Sequence, residues 1–424
     1  MSALFSSAPP SIPPSGSLRG RGGAGAAKNT HRLLSSLHAA SDSIAADRLI
    51  RKFVSSNSKT AALDALTHLL SFSSPFSIPI YARIRETNWF KWNPKLASSV
   101  AALLVNHGRL PEAEELIFEA KSRLTSNKDL AFFYCDLIEA FSELGMKENS
   151  MEFYTLVREI PYSGRRPYES MIKALCSMGS AAEAEEKLKE MFFSGFKPSP
   201  FEFRLVAQSY GQLGFFSEME RVIGLMEEDG LSVDTVCANI VLSCYGDNGE
   251  LSKMLAWLRK MRELGIGFSL RTFNTVLNSC PTIVGSLQDV GSLPLSVEDL
   301  VTKVEKDEAL VLQELLHSSL LAETLEWSSS EGKLDLHGFH AASALVILLQ
   351  WMDELRLRFR AGDVVPMEIS VVCGLGKHSS KRGESPVKML ALEIFFRMKS
   401  PMRLDRKNGG RFIGRGKVVK EWLC

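Results

Sequence analysis

Through the middle of the chain, apolar residues recur at spacings of three and four, broken at regular intervals by glycine. One such stretch is Tyr168-Glu-Ser-Met-Ile-Lys-Ala-Leu-Cys-Ser-Met-Gly179. The next is Ala184-Glu-Glu-Lys-Leu-Lys-Glu-Met-Phe-Phe-Ser-Gly195. This spacing predicts two amphipathic helices, each closed by a glycine that accepts the left-handed conformation at a helix C-terminus. The pattern then repeats. Gly179, Gly214 and Gly249 are 35 residues apart, as are Met191, Met226 and Met261, and Gly195, Gly230 and Gly265. Three ladders at one period predict a solenoid of helix–turn–helix repeats, in which each pair buries its open apolar face on the next.

The clearest repeats are 165–199, 200–234 and 235–269, preceded by a looser one at 131–164 with Gly145 in the turn. Weaker traces around Gly108 and in Ala61–Leu70 extend the predicted array to 55–280. Arg271–Leu277 opens a last first helix, after which the period is lost. Helical spacing in Val301–Leu321 predicts a cap, so 281–331 reads as helical cap and linker, closing on Ser328-Ser-Ser-Glu-Gly332.

Residues 332–424 follow a different pattern. Lys333-Leu-Asp-Leu-His337 alternates as a strand does, Ala341–Phe359 is helical, and Met367–Cys373 is a second strand running into Gly374-Leu-Gly376-Lys377-His378-Ser379. Ser385 and Pro386 open a further helix through Met398, as N-cap and first helical residue. Met402–Phe412 predicts a third strand and Gly416–Leu423 a closing helix. Alternating strands and helices imply a small α/β layer.

Charge separates the two regions. Between Ala131 and Leu270 there are 14 Lys/Arg and 21 Asp/Glu, a net of −7; between Arg360 and Cys424 there are 14 and 6, a net of +8. The C-terminal region is the natural contact for a polyanion. None of the seven cysteines forms a C-x-x-C pair, which disfavours zinc and a disulfide framework. No apolar run reaches the ~18–20 residues of a membrane span. Residues 1–42 carry no acid before Asp42, are rich in Ser, Ala, Pro and Gly, and include Arg19, Arg21, Lys28 and Arg32. This composition predicts an organellar transit peptide, for the chloroplast ahead of the mitochondrion.

Gly195-Phe-Lys-Pro198 and Thr272-Phe-Asn-Thr-Val-Leu277 resemble the end and start of a pentatricopeptide repeat. The 35-residue period separates the array from 34-residue tetratricopeptide repeats. The resemblance implies single-stranded RNA as partner, read about one base per repeat by a few side chains on the concave face. The selecting pairs it implies are Glu169 with Ser199, Arg204 with Asp234, and Asn239 with Ser269, with Asn274 opening an incomplete unit. Glu169 would repel phosphate, and the array is acidic, so a scaffold for proteins of an organellar gene-expression complex is the alternative.

Leu334-Asp-Leu-His-Gly338, the Gly374–Ser379 loop and the ending Gly410-Arg-Phe412…Gly416-Lys-Val-Val-Lys-Glu-Trp422 resemble an SMR (small MutS-related) domain. Where that family's second motif has Thr or His before the glycine, this chain has Cys373. The resemblance implies an endonuclease acting on RNA or DNA, although not every member cuts. Asp335 and His337, two apart on a strand, point the same way, so that the carboxylate can orient the imidazole for proton transfer. Gly374 and Gly376 offer backbone N–H groups to a phosphate. Lys377, His378, Arg411, Arg415 and Lys417 add charge. A divalent cation, magnesium or manganese, on Asp335 is the one cofactor considered. His337, His340 and His378 match no zinc spacing, and the loop lacks the spacing of a P-loop. The bland readings are that Asp335 and His337 only pin a turn, and that the basic run is a solvated face.

Overall fold

The computed structural model describes residues 31–37, 39–40, 42–375 and 385–424. The chain forms two compact units, Met1–Met178 and Gly179–Cys424.

The first unit is helical: α1 (Ser43–Ser56), α2 (Lys59–Ser71), α3 (Ser77–Arg85), α4 (Pro94–Asn106), α5 (Leu110–Arg123), α6 (Asn127–Glu143), α7 (Lys147–Glu159) and α8 (Arg166–Ser177). The sequence starts several of these helices with side-chain caps. Asp42, Ser58, Asn93 and Ser126 accept from amides of the first turn of α1, α2, α4 and α6, satisfying donors that helix geometry leaves open. Val100, Leu103, Leu137 and Phe141 fill the interior, and Phe141 stacks on Phe153 at 5.5 Å. Residues 31–37, inside the segment read as a leader, are helical, with Leu33 and Leu37 buried.

In the second unit α9 (Ala181–Phe193), α10 (Pro200–Gln212), α11 (Phe216–Glu228), α12 (Thr235–Asp247), α13 (Leu251–Glu263) and α14 (Leu270–Asn278) carry the 35-residue period. The period sets contacts as well as lengths. Tyr210 donates to Glu185 (2.8 Å), and Tyr245, 35 residues on, donates to Glu220. Gly211 and Gly246, also 35 apart, lie inside helices. A β-carbon on them would lie 2.5 Å from Cys244 Sγ and 2.0 Å from Ser279 Oγ respectively, so each marks a close helix crossing. Beyond the array come α15 (Pro281–Ser286), a 3-10 turn at Val290–Ser292, α16 (Val297–Lys303), α17 (Lys306–Leu316) and α18 (Leu320–Thr324). Glu308 of α17, fully buried, accepts from the Thr282 and Ile283 amides at the start of α15 (2.8 and 3.2 Å).

The α/β part contains β1 (Leu325–Trp327), β2 (Glu331–Asp335), α19 (Ala341–Ala361), β3 (Glu368–Val372), α20 (Pro386–Arg397), β4 (Arg403–Leu404), β5 (Arg411–Arg415) and α21 (Gly416–Leu423). The sheet order is β1-β2-β3-β5-β4, with β2 and β3 parallel and the other neighbours antiparallel. Two features differ from the sequence expectation. Leu325–Trp327 is a strand, paired back on β2 through the Ser328–Ser330 turn, so the sheet begins inside the expected linker. The expected single strand at 402–412 is two short strands joined by a turn, because Asn408-Gly-Gly410 reverses the chain. One sheet face carries Leu334, Ile369, Val371 and Phe412, all buried, with Phe395 of α20 edge-on to Phe412 at 5.3 Å. The other carries Glu331, Lys333, Asp335, Glu368, Ser370, Arg411 and Arg415, as alternation and register require.

Candidate nucleic-acid interface

The expected base-selecting residues lie at helix N-caps and in the second turn of the helices, with Glu169 at the end of the first turn of its helix. Ser199 caps α10, accepting from Phe201 N while its own amide donates to Glu202. Asp234 caps α12 through Cys237 N (2.8 Å), and Ser269 caps α14 through Thr272 N (3.2 Å). Within the second unit both expected pairs touch. Arg204 Nη1 stands 3.4 Å from Asp234 Oδ2, with Arg204 half-buried and Asp234 exposed. Asn239 Nδ2 donates to Ser269 Oγ (3.3 Å), and Asn239 Oδ1 accepts from Thr272 Oγ1 (2.8 Å). Asn239 is only 4% exposed, so a base must compete with these internal bonds. Glu169, in the first unit, is ion-paired to Arg165 one helical turn back.

Asn274 is engaged differently. Its Nδ2 donates to the Gly338 carbonyl (2.9 Å), and its Oδ1 accepts from the His340 amide (2.8 Å). One turn later Asn278 Nδ2 donates to His340 Nδ1 (2.6 Å). Both polar ends of the Asn274 amide are used on the Leu334–Gly338 motif and its neighbour.

The motif itself sits where the parallel strands end. Leu336 N donates to Val372 O (2.8 Å) just past β2 and β3. Asp335 Oδ1 accepts from the His337 backbone N–H (2.9 Å), which closes the turn. The carboxylate therefore holds the His337 backbone. Gly338 has φ +86°, and Gly374, just past β3, has φ +75°, a conformation open to glycine at little cost. A β-carbon on Gly374 would be 3.9 Å from His337 Cδ2, so the imidazole lies beside that glycine. A third segment completes the edge. Cys373 N donates to Gly410 O (2.8 Å), and a β-carbon on Gly410 would meet the Gly374 carbonyl carbon at 2.9 Å. Gly410, which the sequence offered only as the first residue of the Gly410-Arg-Phe412 ending and with no role at the site, is thus a site residue. Burial pushes the Cys373 thiol up to about 12, leaving it protonated and inert.

The basic residues divide. Gly376, Lys377 and His378 lie outside the described residues. Arg411 starts β5 opposite Val372, but its guanidinium leans back to Glu331 (2.7 Å) and Glu368 (2.6 Å), with Asp405 at 3.8 Å. Arg415 pairs with Glu368 at the far end of β3, four residues and roughly 13 Å from Arg411. Lys417 follows it, and both are exposed. The structure brings together Asp335, His337, Gly374 and Gly410; it does not bring Arg415 or Lys417 to them. Asp335 already has a cation beside its carboxylate, Lys333 Nζ at 4.0 Å. Among the described residues no group of three or more His, Cys, Asp or Glu side chains is set to hold a metal. Also among them, no helix is long and apolar enough to cross a membrane.

Residues 167–196, 203–231 and 236–266 match the PPR repeat family model. Pentatricopeptide repeat-containing protein At2g17033 of Arabidopsis thaliana is 47% identical over 414 residues, covering 94% of this chain and 82% of that protein. The chain therefore belongs to the pentatricopeptide repeat family. The chloroplastic ATP4 homolog of Oryza sativa subsp. japonica is 24% identical over 269 residues, 60% of this chain and 39% of that protein. The crystal structure of PPR10 from maize superposes with a TM-score of 0.42 at 15% identity, covering 87% of this chain and 61% of that chain.

Proposed function

We infer that this protein binds single-stranded RNA in organellar gene expression and that its C-terminal domain, similar to an SMR domain, grips the same RNA. The observation that carries this reading is the recurrence of Arg204 and Asn239, 35 residues apart inside the matched segments 203–231 and 236–266, each touching the helix-capping residue just beyond its segment, Asp234 or Ser269. Polar side chains set in register on successive repeats suit one-base-per-repeat recognition. The C-terminal excess of Lys and Arg suits the phosphates. The acid-free N-terminal segment and the chloroplastic relatives, at about a quarter identity, support the chloroplast as the site of action.

Cleavage is the second reading, favoured by His337 lying beside Gly374 at the carboxyl edge of the sheet, where open α/β sheets bind ligands. In it His337 is the general acid or base, and Asp335, by holding the His337 amide, is a positioning residue. Protein scaffolding by the acidic repeats and action on DNA are the competing functions. A filter-binding titration of the purified protein with mixed organellar RNA, repeated between 50 and 200 mM salt, tests the main reading. With six or more phosphate contacts to a single strand the affinity falls by about 300-fold or more over that range; salt-insensitive retention, or none, sinks it. His337→Ala tested beside the wild type on the same pool separates grip from cleavage, since only cleavage yields discrete products that the substitution abolishes.

A further inference from the structure

We propose that Asn274 is a positioning residue that locks the last repeat onto the His337 turn, making the repeats and the turn one track with a fixed nucleotide spacing. The inference rests on the RNA-binding reading above. It starts from a periodic position whose role changes along the array. Arg204, Asn239 and Asn274 occupy the same place in successive repeats, 35 residues apart. The first two face the cap residue that ends their own repeat. Asn274 faces the backbone of Gly338 and His340, with one donor and one acceptor bond of 2.9 and 2.8 Å.

Both partners of Asn274 are backbone groups flanking Phe339, so the bonds fix where the chain goes after His337. Four other contacts make the joint stiff. Asn278 Nδ2 reaches His340 Nδ1 at 2.6 Å. A β-carbon at Gly338 would touch Leu270 Cδ1 at 3.4 Å, so the turn lies directly on the first residue of α14. Further along, Gln350 Nε2 donates to Leu316 O and Arg397 Nη1 to Leu293 O, tying α19 and α20 to the segments that follow the array. Asn239 is bonded to the side chains of Ser269 and Thr272, hydroxyls that can rotate away to admit a base, whereas Asn274 spends both amide ends on fixed backbone groups outside the array and has none left to read with. The last readable pair is then Asn239 with Ser269, and His337 lies one repeat step beyond it. One base per repeat puts the nucleotide at His337 about one to two positions past the base read by that pair.

The test uses the full-length protein. It first selects from a randomised single-stranded RNA pool, and the selected sequence is resynthesised with one 4-thiouridine walked through consecutive positions. Photo-crosslinks to the peptide containing His337 are mapped by mass spectrometry. In the wild type the crosslink should come from about one or two adjacent positions. In Asn274→Ala it should spread over about four or more, while affinity falls less than about threefold because the reading pairs are untouched. Asn278→Ala, which removes only an exposed contact, folds even if Asn274→Ala does not and should broaden the distribution in the same direction. A merely structural Asn274 would lower the melting temperature and leave the crosslink position sharp, which overturns the proposal. So would a change in the selected base on substituting Asn274, which would make it a reader. A wild type that retains RNA but crosslinks at scattered positions sinks the track alone; one that retains none sinks the RNA reading together with it.

Discussion

Replacing Glu185 with Gln isolates one charge at the interface between α9, α10 and α11. Glu185 is 3% exposed and accepts from Arg221 (2.6 and 2.9 Å) and from Tyr210 (2.8 Å), with Lys189 also at 2.8 Å. Burial opposes its charge, but Arg221, Lys189 and the Tyr210 hydroxyl more than offset burial and hold the carboxyl at about 2, against an ordinary 4.5. A folded-state value below the unfolded one means that the ionised form stabilises the fold above the unfolded value. That stabilisation is lost as pH falls toward the folded value. The shift corresponds to at most about 3 kcal/mol, and the half-exposed Arg221 and Lys189 screen it to about 2. Linkage makes the contribution nearly complete at pH 5, about half gone near pH 3 and almost absent at pH 2. Glu185→Gln keeps the shape and a hydrogen-bonding group but loses the charge. It should lower stability by about 2 kcal/mol at pH 7, with the gap to wild type closing between pH 4 and 2. Urea denaturation at several pH values measures this, and amide exchange across α10 and α11 localises it. A gap independent of pH would refute the reasoning, because the interaction would then be packing and not charge.

Arg411→Ala should destabilise the C-terminal sheet by about 1–2 kcal/mol, since it leaves the partly exposed Glu331, Glu368 and Asp405 carboxylates to repel one another, and adding Glu331→Gln should recover part of the loss in urea denaturation. Gly246→Ala places a methyl 2.0 Å from Ser279 Oγ and should cost about 1–2 kcal/mol net of the better helix propensity; a second change, Ser279→Gly, should relieve it in a double-mutant cycle. Of the seven cysteines only Cys424 is exposed, and burial raises the thiols of Cys135, Cys244, Cys280 and Cys373 to about 12. A maleimide at pH 7 should therefore label one thiol in the native protein and seven in urea, counted by mass spectrometry.

The repeat helices were legible because their information is local: an apolar stripe, a capping Ser or Asp and a closing glycine all lie within one repeat. The α/β order was legible for the same reason. What stayed hidden depended on partners far along the chain. Leu325–Trp327 is a strand only because β2 pairs with it, and three residues carry no readable alternation. Arg411 reads as a phosphate ligand until the fold brings Glu331 and Glu368, 80 and 43 residues away, to its guanidinium. Asp335 and His337 have strand spacing, yet the strand ends at Asp335, so the alternation argument stops short of the imidazole. Asn274 matches Asn239 in the sequence and departs from it only because the Gly338 turn lies opposite.

The two glycines inside α10 and α12 have a consequence for how such a chain can change in length. Gly211 leaves a hollow for Cys244, and Gly246 leaves one for Ser279; the two hollows are 35 residues apart, and so are the two residues that fill them. A change of length inside one of these helices turns its peg or its hole away from the partner and puts a side chain against a helix backbone, whereas the turns between helices can lengthen without moving either. Descendants of this array should therefore keep the lengths of these helices and vary, where they vary, in the turns or by whole repeats.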